Sequence, residues 1–255
     1  MSAASPTLDE LVRYLDAYLR VSDIPDDPRA LNGLQVESSG PVGTVLGAVD
    51  ASLAAIDAAV TRGAGLLLVH HGIFWGGLEP LRGRFGRRVR ALHRGDVALY
   101  SAHLPLDCHP VVGNNAVLAR DLGLTDLKPF GRSRGIEIGV SGVFPGSLEE
   151  LAGRIARRLG QAPRVIGKGP SRVERVAIVT GAASDLLAEA REQGISTFLT
   201  GEGPHHTFFD AEEWGLNLIY AGHYATETVG IQALGEHLCR QFPLGFQFFD
   251  HPTGL

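Results

Sequence analysis

Two stretches of this chain repeat one design, and that repetition restricts the fold more than any other feature. LGAVDASLAAIDAAVTRGAGLLLVHHG (Leu46–Gly72) and VAIVTGAASDLLAEAREQGISTFLTGEG (Val176–Gly203) each run strand, small-residue turn, helix, glycine, strand. A further strand follows each, in GDVALYSAHLPLD (Gly95–Asp107) and in WGLNLIYAGHYATE (Trp214–Glu227). Strand–helix–strand units of this kind cross over right-handed and build mainly parallel sheets. The expected fold is therefore α/β and partly duplicated.

The rest of the chain fits that frame. Thr7 can cap a helix over Leu8–Leu19, where Leu8, Leu11, Val12, Leu15 and Leu19 keep helical spacing. Pro25 and Pro28 break the chain after that helix, and Asn32-Gly33-Leu34-Gln35-Val36 leads into a strand. A strand at Val45–Asp50 and an Ala-rich helix at Ser52–Arg62 precede Leu66-Leu67-Leu68-Val69, a short apolar run read as a strand buried on both faces. After a Gly- and Arg-rich loop come a helix at Arg87–Arg94, a strand at Val97–His103, a loop at Pro105 and a helix at Asn114–Leu122. The texture then turns to Gly, Pro and Arg over Lys128–Gly135, which reads as a domain boundary. The expected division is residues 1–128 with about 225–255, and about 129–224. The second half continues with a strand at Ile136–Val143, a helix at Leu148–Leu159 and strands near Val165 and at Val173–Thr180. Its last part reads as helices at Ser184–Gln193, His205–Trp214 and Ala225–Gln241 among strands at Thr197–Thr200, Leu216–Tyr220 and Phe246–Phe249.

Chemistry gathers at the carboxyl ends of the expected strands, where open α/β sheets place their ligands. His70 and His71 end one strand, and neutral imidazole is the commonest side-chain metal ligand. Alone, the pair fits equally one surface histidine and one hydrogen-bonded in the core. The matching strand ends strengthen it: His103 and Asp107 stand four apart, and so do His223 and Glu227. On a helix, residues four apart share a face and can reach one ion. Imidazoles and carboxylates without thiolate suit Zn, Fe, Mn, Co or Ni better than Ca or Mg. Four or more such donors fit two ions with open water positions, a pair that acidifies water for hydrolysis. In TGEGPHH, Glu202 and His205 are candidates to orient a ligand or touch substrate, and each is as readily a plain surface residue.

Composition removes other classes. A net charge of -5 argues against a nucleic-acid backbone binder, despite the local cluster Arg82, Arg84, Arg87, Arg88 and Arg90. No apolar run approaches the ~20 residues of a membrane span, and no secretory leader is visible. Two cysteines, Cys108 and Cys239, are too few for a disulfide framework or a cysteine zinc site, so a cytoplasmic location is the expectation.

Five motifs in order then resemble one family. HHG at His70–Gly72, AHLPLD at Ala102–Asp107, GNN at Gly113–Asn115, TGE with its histidines at Thr200–His206 and GHYATE at Gly222–Glu227 look like the Nif-three-like family. NGLQV at Asn32–Val36 resembles its amino-terminal signature. Members often carry the name GTP cyclohydrolase I type 2 homologue. The resemblance implies two interleaved α/β domains and a dinuclear site held by His70, His71, Asp107, His223 and Glu227, with His103 nearby. It implies two divalent ions per chain and a homohexameric ring whose sites face an interior cavity. Phe74 and Trp75, read as exposed beside the site, lend the assembly indirect support. The connection from Phe130 to Arg175 is too short for the extra inserted domain of longer members.

The expected function is a metal-dependent hydrolase using a metal-bound hydroxide, with a small-molecule substrate such as a nucleotide. His103 is then the proton shuttle, or else a support for a ligand carboxylate. The alternative is a non-catalytic metal-binding or regulatory hexamer. Neither reading needs a membrane or a nucleic acid.

Overall fold

The computed structural model describes residues 4–255, which part into two compact units. Of the described residues, one comprises 4–112 with 230–251, the other 113–229 with 252–255.

The first unit begins with helix α1 (Leu8–Leu19), closed by a capping box in which Glu10 N–H donates to Thr7 Oγ1 while Thr7 N–H donates to Glu10 Oε2. Strand β1 (Gly33–Val36), strand β2 (Thr44–Asp50), helix α2 (Leu53–Thr61) and strand β3 (Leu66–His71) come after it. Helix α3 (Gly83–Gly95) starts ahead of the Arg87 expected, because Phe85 is buried in the core and draws that turn into the helix. Strand β4 (Ala98–Ser101) is next. The expected loop at Pro105 is instead a one-turn helix, α4 (Leu104–Asp107). Proline is tolerated there because the first turn of a helix needs no N–H from it.

The sheet runs β1-β4-β3-β2 and ends on β11 (Gly245–Phe248); β1 is antiparallel to β4 and the other neighbours are parallel. Alternation along β3 explains its apolar run. Leu66 and Leu68 pack toward the leucines of α1 and toward Ile231, Leu234 and Leu238. Leu67 and Val69 pack toward Ala55, Ile56 and Ala59 of α2 and Leu92 of α3. Tyr100 on β4 is buried, and its hydroxyl donates to Asp16 of α1 at 2.7 Å.

The second unit opens with helix α5 (Asn114–Asp121) and strands β5 (Thr125–Ser133) and β6 (Ile136–Ser147). The Gly-, Pro- and Arg-rich texture from Lys128 thus runs along β5, paired antiparallel with β6, and into the turn at Arg134 and Gly135. Helix α6 (Leu148–Leu159), strands β7 (Arg164–Gly167) and β8 (Arg172–Ile178), a 3-10 turn at Ser184–Leu186 and helix α7 (Leu187–Glu192) come next. Strand β9 (Thr197–Thr200), helix α8 (Thr207–Glu213), strand β10 (Asn217–Tyr220) and helix α9 (His223–Gln241) complete the order.

This sheet runs β5-β6-β8-β9-β10-β7. Its centre, β8-β9-β10, is parallel like β2-β3-β4, so the duplication visible in the sequence is real at the level of strands. Its flanks are antiparallel, on β5-β6-β8 and on β10-β7. A short hairpin joins β5 to β6, whereas β6 meets β8 and β7 meets β10 across long intervening segments. Among the described residues no helix is long and apolar enough to cross a membrane.

Candidate metal centre

In the first unit the carboxyl ends of β3 and β4 bring three imidazoles together. Strand alternation sends His70 and His71 toward opposite faces, yet their ring centroids lie 4.7 Å apart. His103, one residue beyond Ala102, is 5.0 Å from His70 and 5.6 Å from His71. One nitrogen from each of the three falls within 4.8 Å of the others, a spacing that suits a shared ion.

Every ring is held through Nδ1 by an oxygen. His70 Nδ1 bonds the Ala102 carbonyl at 2.9 Å, His71 Nδ1 bonds Asp50 Oδ1 at 3.0 Å, and His103 Nδ1 bonds Asp26 at 3.0 Å. A carbonyl or carboxylate only accepts, so Nδ1 carries the proton and a neutral ring presents its lone pair at Nε2. This is how metal-binding histidines are commonly oriented. His70 Nε2 meets Asp107 Oδ2 at 3.7 Å, and His70 is fully buried with Asp107 nearly so. Two electron-rich atoms facing each other out of water call for a cation between them.

Asp107 comes to His103 through α4, whose single turn lets Asp107 N–H donate to the His103 carbonyl at 3.1 Å. The following Cys108 is partly buried, and burial first, then the Asp107 and Asp26 carboxylates, push its thiol up to about 12. It offers no thiolate near neutral pH.

The early NGLQV motif builds this corner. Asn32 Oδ1 accepts from His103 N–H at 2.7 Å while its amide donates to Asp26 at 2.8 Å. Gln35 Oε1 accepts from Ile73 N–H at 2.9 Å, which anchors the chain just past His71. Burial pushes the Asp26 carboxyl up. The hydrogen bonds from His103, Asn32 and the Leu104 amide outweigh that and hold it below the ordinary carboxylate value. Trp75 sets its ring edge-on to His103 at 4.9 Å and to His71 at 5.8 Å. Trp75 and Phe74 are half-buried where the sequence suggests exposure, because Phe74 packs on Phe85 and Trp75 on the histidines.

In the second unit the equivalent strand ends supply an imidazole between two carboxylates. His223 Nδ1 lies 2.8 Å from Glu202 Oε1, and His223 Nε2 lies 3.3 Å from Glu227 Oε1, one helical turn along α9. Glu227 is buried, and its hydrogen bond is the largest of the effects that raise His223 to about 9, against the opposing effect of burial. Glu202 adds to the rise. A cation, whether a proton or a metal, is what this arrangement favours on Nε2.

Glycines let the loops converge here. A Cβ on Gly201 would meet the Gly181 carbonyl at 2.5 Å and His223 Cα at 2.6 Å. One on Gly203 would collide with the Tyr220 hydroxyl and Ser184. Thr226 of GHYATE is buried and accepts from Gly181 N–H at 3.1 Å. Asn115 of GNN is buried too, accepting from Thr180 N–H at 2.8 Å and donating to the Ile138 carbonyl at 2.8 Å. Those two motif residues are architectural. His205 is exposed, edge-on to Phe209 at 5.6 Å, in the lining of a cleft that also includes Glu202.

Two residues of this chemistry are invisible to sequence reasoning. Asp26 lies in a Pro-interrupted loop 77 positions from the histidine it holds, and Asp50 reads as an ordinary strand end. Period and motif carry no signal for either.

The donors offered to an ion by these elements are nitrogen and carboxylate oxygen, which fits a transition metal or zinc. The family model described as Duf34/NIF3 (NGG1p interacting factor 3) matches residues 6–252. A Deinococcus radiodurans protein named GTP cyclohydrolase 1 type 2 homolog is 45% identical over 249 residues, covering 97% of this chain and 94% of its own. A Halobacterium salinarum protein of the same name is 45% identical over 256 residues, covering 97% of this chain and 98% of its own. Among solved structures, TTHA1606 from Thermus thermophilus matches at 48% identity and a TM-score of 0.89, covering 97% of this chain and 99% of that one.

Proposed function

The chain belongs to the Duf34/NIF3 family, and from that premise we propose that it is a metal-dependent hydrolase holding two divalent ions. The proposed ligands are His70, His71, Asp107, His223 and Glu227. The observation that carries the reading is the state of the imidazoles: His70 and His71 each have an oxygen on Nδ1, leaving the Nε2 lone pair for a cation. The buried carboxylates of Asp107 and Glu227 supply the negative charge that such a cation needs. Hydrolysis as the reaction class rests on the name of the relatives, GTP cyclohydrolase 1 type 2 homolog. Divalent ions in this donor set supply Lewis-acid polarisation and a water of lowered pKa.

The chain's own residues do the rest. His103, held at Nδ1 by Asp26, keeps Nε2 for a proton taken from or returned to the reacting group. Asp26 orients that ring and balances the positive charge the imidazole gains. Glu202 fixes the His223 ring through Nδ1. Trp75 covers His71 and His103 with apolar surface and limits their contact with water.

The test has two parts. Elemental analysis of protein purified without chelator is expected to find about two ions per chain. The metal-loaded protein is then incubated with GTP, other nucleotides, phosphodiesters and cyclic amides, and one class is expected to turn over in a chelator-sensitive way. No turnover across that panel, with metal firmly held, overturns the hydrolase and leaves the metal-binding assembly.

A further inference from the structure

The second unit contains a cleft of about 510 Å³ that none of the proposed metal ligands lines. Arg164 and Ile166, alternate residues of β7, form one wall. Arg164 is paired directly opposite Tyr220 of β10, so the two side chains emerge on one face of the sheet. Phe208, Phe209, His205 and Glu202 are also in its lining.

Three properties define what such a space accepts. Its apolar surface is aromatic and wet: Phe208 is 38% and Phe209 48% exposed, their rings edge-to-face at 5.4 Å. Its cation is uncommitted. Among the described residues the Arg164 side chain makes no hydrogen bond or ion pair, although the cleft it lines also holds Glu202. Its shape is built in advance. Thr207 Oγ1 donates to the Pro204 carbonyl at 2.6 Å and is hydrogen-bonded to the Tyr220 hydroxyl, and Gly203 leaves no room for a side chain against that hydroxyl. Clefts of roughly 300–1,000 Å³ with a few convergent polar groups hold small molecules.

We infer that this cleft binds a small molecule that joins a planar heteroaromatic ring bearing an N–H donor to an anionic group. Arg164 receives the anion as a charge-assisted pair. The rings of Phe208, Phe209 and Tyr220 take the flat apolar faces. Glu202, whose Oε1 is engaged by His223, stays an acceptor for an N–H of the ring and opposes a second anionic group on that side. Glu202 thereby belongs both to the cleft and to His223, so as a substrate seat the cleft rests on the proposed function. As a binding site it stands without it.

The probes are AMP, adenosine and ribose 5-phosphate, titrated by calorimetry into the full chain as purified and after chelation. AMP is expected to bind both preparations, with adenosine and ribose 5-phosphate each at least roughly tenfold weaker. Arg164→Gln is expected to weaken AMP by roughly 10–150-fold, leaving adenosine affinity and metal content unchanged. Phe209→Ala is expected to weaken AMP and adenosine alike, by roughly 5–150-fold. Both side chains are exposed, so the variants keep the core intact. No AMP binding, loss of AMP binding on chelation, ribose 5-phosphate as tight as AMP, or an Arg164→Gln variant that binds AMP normally overturns the inference. AMP binding by a chain that purifies without metal and takes none up on reconstitution overturns the metal reading and keeps the cleft.

Discussion

Asp107 and Glu227 are nearly buried carboxylates, and each lies within 3.7 Å of an imidazole nitrogen. Removing either takes away the charge that a cation there requires, while the neighbouring ring stays in place. Asp107→Ala and Glu227→Ala are therefore expected to lower metal content per chain, and His109→Ala to leave it unchanged, as read by elemental analysis. His109 packs against Tyr18 with ring centroids 4.3 Å apart and planes tilted by 40°, and its Nδ1 accepts from the Val111 and Val112 amides. His103 poses a finer question, because one ring can carry protons or brace a ligand. With its Nδ1 committed to Asp26, His103→Gln is expected to cut turnover roughly 10²–10⁴-fold with metal content intact. A loss of metal affinity of roughly 10–100-fold would make it a support instead. Measuring both quantities on one variant separates the roles.

At the scale of elements, α1 and the last turns of α9 are joined by an aromatic and histidine stack. Tyr14 Oη lies 2.6 Å from His237 Nε2, and Tyr18 stacks on His237 at 4.2 Å and 9°. Burial lowers His237, with Arg240 adding to the effect. It lowers His109 as well, the Tyr18 backbone opposing and His237 adding. A histidine whose folded value lies below its unfolded one costs nothing above the unfolded value. As pH falls through about 6.5 the unfolded chain takes up the proton first, and stability drops until the folded ring also titrates. Relative to His237→Gln, the urea midpoint of the unchanged protein is expected to fall between about pH 7.5 and about pH 5.5, the opposite contribution of the raised His223 being common to both. An equal fall in both proteins would assign the pH dependence to other groups. The same scale explains α4. One turn, Leu104–Asp107, is enough to return the Asp107 N–H to the His103 carbonyl.

For the whole molecule, the family resemblance implies a hexameric ring. Light scattering at micromolar concentration is expected to give a mass near six times the 27.2 kDa of one chain. A strictly monomeric species would remove the ring from the account and leave the donors of each chain to act alone. The exposed Phe208 and Phe209 make a useful control. If the mass falls in Phe209→Ala while AMP binding is unaffected, those rings serve subunit contact instead of a ligand.

What the amino-acid order determined by itself was periodic or local. Thr7, Glu10 and the leucine spacing specify α1 because capping and amphipathicity act within a few residues. Leu66–Val69 and the repeated strand–helix–strand design specify two parallel sheet centres, since burial on both faces demands continuous apolar runs. His70, His71, Asp107, His223 and Glu227 were legible as candidates because motif residues at strand ends keep fixed spacings. Tertiary structure decided what holds those residues. Asp26, Asp50 and Asn32 act on the histidine corner from other segments, through hydrogen bonds whose partners have no fixed spacing in the chain. The antiparallel flanks of the second sheet and the cleft beside Arg164 arise the same way, from strand pairings such as that of β7 with β10, which local pattern does not encode. Period and propensity are properties of neighbours in sequence; orientation of a donor, and the space left in front of it, are properties of neighbours in space.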